Sequence, residues 1–195
     1  MRTVAALAVV VALGACSDST DRDAEGGWKK GTLADGRLSF EMPGPALHSS
    51  GETKQMPPDR IESESATCID DACHYTVSVS EGEALAKRMG TTEKQRLRWA
   101  NFDLLRIMQQ DEERSIEDDG QWNQGKLVGR WIQLALPAKP PEQTVPVYKW
   151  VYVAAWEGQA VYVKFIATQA AYDDEIRGPA VEQARERFVT SVTVE

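Results

Sequence analysis

The 195-residue chain has only three cysteines, two histidines and nine prolines, and its acids outnumber its bases by 30 to 22. With two histidines, His48 and His74, far apart, no zinc triad or histidine-based nucleophile pattern exists. The shortage of positive charge excludes a general nucleic-acid role, which needs a clustered basic surface. It also excludes electrostatic docking to anionic lipid. No apolar run reaches the roughly 20 residues that span a bilayer; the longest, residues 4–13, has ten. Walker, dinucleotide, G-x-S-x-G and H-E-x-x-H motifs are all missing. No catalytic, cofactor-binding or metal-binding residue is therefore assigned.

What is present begins at the N-terminus. Arg2, the short apolar run and Leu13-Gly14-Ala15-Cys16 have the order of a secretory signal with a small-residue cleavage site. The last four residues resemble the bacterial lipobox, whose cysteine becomes the acylated first residue of the mature protein. Residues 1–15 are expected to be a lipoprotein signal peptide, Cys16 the lipid attachment point, and 16–27 a flexible tether. Two or more acyl chains hold a protein stably on a membrane, where a single chain does not. The expected location is the bacterial cell envelope, lipid-anchored and facing the periplasm, with the outer membrane favoured over the inner by Ser17.

The cysteine count then closes. With Cys16 lipidated, Cys68 and Cys73 remain as a pair across a four-residue connection, Ile69-Asp70-Asp71-Ala72. Directly opposed residues of an antiparallel hairpin lie within disulfide reach, and an exported compartment favours the bond. A structural disulfide between Cys68 and Cys73 is the expectation. A redox or metal site would call for C-x-x-C spacing instead of the C-x₄-C seen here.

Residues 28–195 read as one α+β domain. Alternation marks strands at 28–32, 37–42, 60–68 and 73–80, and the segments 125–136, 147–156 and 160–168 are strongly β. Apolar side chains on both parities of 147–156 predict a central strand covered on both faces. Thr92-Glu93-Lys94-Gln95 fits a capping box and opens a predicted helix over 92–114. A shorter helix is predicted at 83–89, and a terminal one at 180–189 with Pro179 in its first turn. Residues 54–58 and 137–146 read as loops. The acid pairs Asp70-Asp71, Asp118-Asp119 and Asp173-Asp174 read as turn residues. Trp122, between Gln121 and Asn123, reads as an exposed contact for a partner.

The segment Gly36-Arg37-Leu38-Ser39-Phe40-Glu41-Met42-Pro43 resembles the opening strand of the PsbP-like fold family. The later order is similar as well: a strand at 75–80, a long helix, a strand through Val161-Tyr162-Val163, and a terminal helix carrying Phe188 and Ser191. The resemblance spans residues 36–192. It implies an antiparallel sheet packed against helices, in proteins that act mostly as binding or assembly factors, and it transfers no catalytic residue. The segments 137–146 and 68–73 have no match in it.

The expected function is a membrane-anchored binding or assembly-assisting module with an envelope protein partner. Two rivals predict different architecture. A hydrolase needs carboxylates converging in a cleft. A carrier of a small apolar ligand needs an interior cavity lined by Phe102, Val151 and Phe165.

Overall fold

The structure, a computed structural model, describes residues 27–54, 60–70, 72–109, 114–141 and 143–195. The expected signal peptide, Cys16 and most of the tether lie outside these residues, as does most of the 54–58 loop. Among the described residues, no helix is long and apolar enough to cross a membrane.

Two antiparallel sheets form. The smaller pairs β1 (Lys29–Leu33) with β2 (Leu38–Met42), and β2 with β10 (Thr193–Val194). The larger has seven strands: β3 (Leu47–Lys54), β4 (Arg60–Ile69), β5 (Cys73–Glu81), β6 (Ser115–Gln124), β7 (Leu127–Leu136), β8 (Val147–Trp156) and β9 (Gln159–Thr168). Their spatial order is β3-β4-β5-β9-β8-β7-β6. The chain thus builds one half, crosses by two helices to the far edge, and returns to pair β9 with β5 in the middle. Those helices are α1 (Glu83–Met89) and α2 (Glu93–Met108); α3 (Gln169–Tyr172) and α4 (Gly178–Ser191) follow the last long strand.

Burial explains the layers. Residues 150–156 of β8 are all buried, because the strand is sandwiched as its two-sided apolar pattern requires. On one face Val151 and Val153 meet Trp99, Ala100, Leu104 and Met108 of α2 and Met89 of α1. On the other, Trp150 and Tyr152 join a larger cluster with Tyr75, Phe165, Phe40 of the small sheet and Phe188 of α4. Tyr75 is its hinge, with edge-on contacts to Phe165 at 5.2 Å and Phe188 at 5.3 Å. Such edge-to-face pairs add to area burial.

The capping box forms as expected: Gln95 N–H donates to Thr92 Oγ1 at 3.3 Å, and Thr92 N–H donates to Gln95 Oε1 at 3.0 Å. Pro179 sits in the first turn of α4.

Three expectations are corrected. Trp122 is 6% exposed near the C-terminal end of β6 and belongs to the core; its ring meets Tyr152 edge-on at 5.3 Å. It cannot be a surface contact. Asp118 and Asp119 lie in this same strand, not in a turn. The Cys68–Cys73 bridge is not formed, and both thiols are free and buried.

Register is the reason for the last. Ile69 opposes His74, so Cys68 faces Tyr75 and is displaced diagonally from Cys73. Diagonal neighbours lie about 7–8 Å apart, beyond the roughly 4.4–6.8 Å a disulfide tolerates. Asp70 holds this turn, accepting from Cys73 N–H at 2.7 Å and from the Tyr75 hydroxyl at 3.0 Å. Burial and the Asp70 charge push the Cys73 thiol up to about 11, and Cys68 moves in the same direction. Thiols shifted this way are poor nucleophiles. Both cysteines should therefore alkylate in the unfolded, unreduced chain and resist alkylation in the native one. Peptide mapping that finds neither labelled until a reductant is added would restore the bridge.

Candidate functional site

Helices α1 and α2 cover only part of their sheet face. α2 packs on β7 and β8, and α1 packs on α2 and touches β9, so that among the described residues the main contacts of both helices fall on the β9-β8-β7 half of the sheet and not on β5, β4 and β3. A groove of about 710 Å³ runs along the boundary between the helices and this open half.

The groove follows from local sequence. Gly90 has φ +72, a left-handed conformation that glycine adopts without strain. It ends α1 two residues before the Thr92 cap, so the helices meet in a tight corner. From there Gln95, Arg98, Trp99, Phe102, Asp103 and Arg106 recur at helical spacing and share the face of α2 that looks onto the open strands. α1 contributes Leu85 and Arg88, β4 Ile61 and Ser63, β5 Ser80, and β9 Tyr162.

Asp103 is the anchor. It is 6% exposed. One carboxylate oxygen accepts from Arg106 Nε at 2.9 Å, the other from the Tyr162 hydroxyl at 2.9 Å. A buried carboxylate is tolerated only when it is paired in this way. The bond to Tyr162 ties α2 to β9 and fixes the groove wall. Burial and the Asp103 charge push the Tyr162 phenol upward, so it stays a neutral donor. Burial opposes the charge on Arg106, but Asp103 outweighs it and shifts the guanidinium up.

Three arginines therefore line the groove against one carboxylate that is already neutralised. In a chain of formal charge −8 this is a local reversal of sign. Arg98 is exposed and makes no hydrogen bond or ion pair among the described residues. Phe102 stands beside it, 68% exposed. The arrangement offers positive charge and an apolar ring face to a ligand.

Among the described residues, neither the acid pairs nor the carrier lining named from the sequence comes together. The acid pairs noted in the sequence lie apart, at the β4–β5 turn (Asp70), on β6 (Asp118 and Asp119) and at the α3–α4 connection (Asp173 and Asp174). A different set, Glu62, Glu64 and Glu81, does share a cleft of about 360 Å³ beneath the β1–β2 turn. Each already has a partner: Arg60 at 3.5 Å, the Ala34 N–H at 2.9 Å and Gln159 Nε2 at 2.6 Å. The carrier lining is divided by the sheet itself. Val151 lies in the helix-side cluster, Phe165 in the opposite one, and Phe102 points to solvent. The arginine groove is not legible in the sequence because its residues come from five elements; the helical spacing of Arg98, Phe102 and Arg106 is its readable trace.

No family profile matches the chain, and no curated protein matches it. Among solved structures, the solution structure of cyanobacterial PsbP (CyanoP) from Synechocystis sp. PCC 6803 is similar. Its TM-score is 0.51 at 12% identity, over 94% of this chain and 99% of that one. A Pseudomonas aeruginosa protein of unknown function aligns over 83% of this chain and 95% of its own, at TM-score 0.43 and 11% identity. The fold is α+β and PsbP-like, as the resemblance over residues 36–192 implied.

Proposed function

We propose that this protein is a binding module of the bacterial cell envelope, held at the membrane by lipid on Cys16, with the α1–α2 groove as its working surface. One observation carries the second half of this reading: three arginines and an exposed phenylalanine converge on an open groove in an otherwise acidic chain. Convergent polar groups around a concave, partly apolar surface are the usual form of a ligand site. The lipobox-like Leu13-Gly14-Ala15-Cys16 supports the first half. The tether between lipid and domain is short, so the groove works near the bilayer surface.

Site-specific photo-cross-linking in cells tests the reading. A cross-linker replacing Phe102 should capture a discrete adduct. One replacing Ile176, 88% exposed at the α3–α4 connection, should capture none. Arg98→Glu should abolish the adduct at 102, and Cys16→Ser should move the protein from the membrane to the soluble fraction. Equal labelling from both positions would overturn the groove assignment, and a membrane-bound Cys16→Ser variant would overturn the anchor.

A further inference from the structure

We propose that the groove continues onto the open sheet face beside it, and that the two form one site for an anionic glycan. This rests on the groove being the working surface. The pattern of hydroxyls on β3, β4 and β5 carries it. Strand register places Ser63 beside Ser80, then Ser49, Ser65 and Ser78 in one row across β3, β4 and β5, then Thr67 beside Thr76 in the next. All point to the helix side, since their neighbours Tyr75, Val77 and Val79 point to the opposite core. The hydroxyls bond in pairs: Ser63 with Ser80 at 2.8 Å, Ser49 with Ser65 at 2.7 Å, Thr67 with Thr76 at 3.5 Å.

Each such pair uses one donor and one acceptor, leaving one donor and three acceptors for a ligand. That is the complement of a sugar, whose hydroxyls also donate and accept. The rows repeat about every 6.8 Å along a strand and 4.8 Å between strands, so the pavement is extended and suits a chain better than a single small molecule. Ser63 and Ser80 are shared with the groove. The first row therefore runs directly under the arginines, and Lys164 lies beside Thr76 at the end of the third. The arginines over the first row select an anionic chain. The exposed face of Phe102 gives the C–H face of a sugar ring a surface to pack on. An acidic peptide or a nucleic acid would use the arginines but has less need of paired hydroxyls.

Calorimetric titration of the full chain tests the assignment. The probes are a long oligogalacturonate, its disaccharide, a neutral malto-oligosaccharide of matched length, polyglutamate and single-stranded DNA. The long oligogalacturonate should bind at least about tenfold more tightly than any other probe, a difference of ~1.4 kcal/mol. Its affinity should fall with added salt. Arg98→Glu should remove binding. Ser65→Val with Thr67→Val, which suits a strand and keeps the fold, should weaken the long oligomer and leave the disaccharide unchanged. Equal binding of polyglutamate or DNA would overturn the glycan assignment, as would ladder variants with native affinity. A cross-link at position 102 with no uronate binding would overturn this inference alone and leave the groove standing. Silence in both would end both.

Discussion

Trp122→Ala is expected to lower the unfolding free energy by roughly 3–5 kcal/mol, the usual cost of emptying a large buried aromatic site. For a domain of this size that is a fall in melting temperature on the order of 10 °C. The indole is enclosed by specific neighbours. Across the sheet its row continues through Gly129 on β7 and Ala154 on β8, two of the smallest residues, which leave room for the ring to lean toward Tyr152. Nothing larger fits at Gly129: a Cβ there would stand 2.1 Å from the Val153 carbonyl oxygen and 2.7 Å from Ala154. The nitrogen end is held as well. Trp122 Nε1 donates to Gln124 Oε1 at 3.3 Å, and Gln124 Nε2 donates to the Val192 carbonyl at 2.8 Å beyond the end of α4. Removing the indole thus loses buried area and loosens the clasp between an edge strand and the last helix. A melting temperature unchanged in Trp122→Ala would mean that the ring is not enclosed, and would return it to the surface.

Trp122 marks where sequence patterns stop informing. β5 is legible because one of its faces is buried: Cys73, Tyr75, Val77 and Val79 alternate with hydrophilic neighbours. β8 is legible because both faces are. β6 and β3 are the edges of the large sheet, and edge strands are held by backbone hydrogen bonds that impose little on side-chain type. The sequence Ser115–Gln124 carries three consecutive acids and a single tryptophan, and β3 carries His48, Ser49, Ser50 and Gly51. Neither has the alternation that reveals a half-buried strand. The hydroxyl rows were hidden for a related reason. Each serine or threonine occupies an ordinary outward position on its own strand, and only register makes a row of them. For the thiols, loop length alone left open whether the two cysteines are opposed or diagonal. Register decides that too.

Arg185→Met is expected to cost roughly 2–3 kcal/mol at neutral pH, as loss of hydrogen bonds between charged groups in a partly buried setting does. The guanidinium side chain is 16% exposed. It donates to both oxygens of Glu182 and to the Tyr152 hydroxyl, and lies 5.6 Å above the Trp150 ring. Burial opposes its charge, but Glu182 and Tyr152 together outweigh that and push it up. Methionine fills the apolar part of the space and strands two polar groups. Glu182 keeps only the Tyr172 hydroxyl at 3.3 Å, and the buried Tyr152 hydroxyl loses its donor. Because Glu182 is about a third exposed, solvent screens part of the lost pairing, which places the expected cost below that of a fully buried pair. The pH dependence identifies the cause. The hydrogen bonds from Arg185 hold the Glu182 carboxyl below its ordinary value of 4.5, against the opposing effect of burial. Its contribution is therefore complete above pH 4.5 and disappears as pH falls through the depressed folded-state value. Denaturant melts of the two proteins should show their full separation at pH 7 and a shrinking one once pH drops below 4.5. A separation that stays constant through that range would assign the loss to packing against Trp150 instead of to the ion pair.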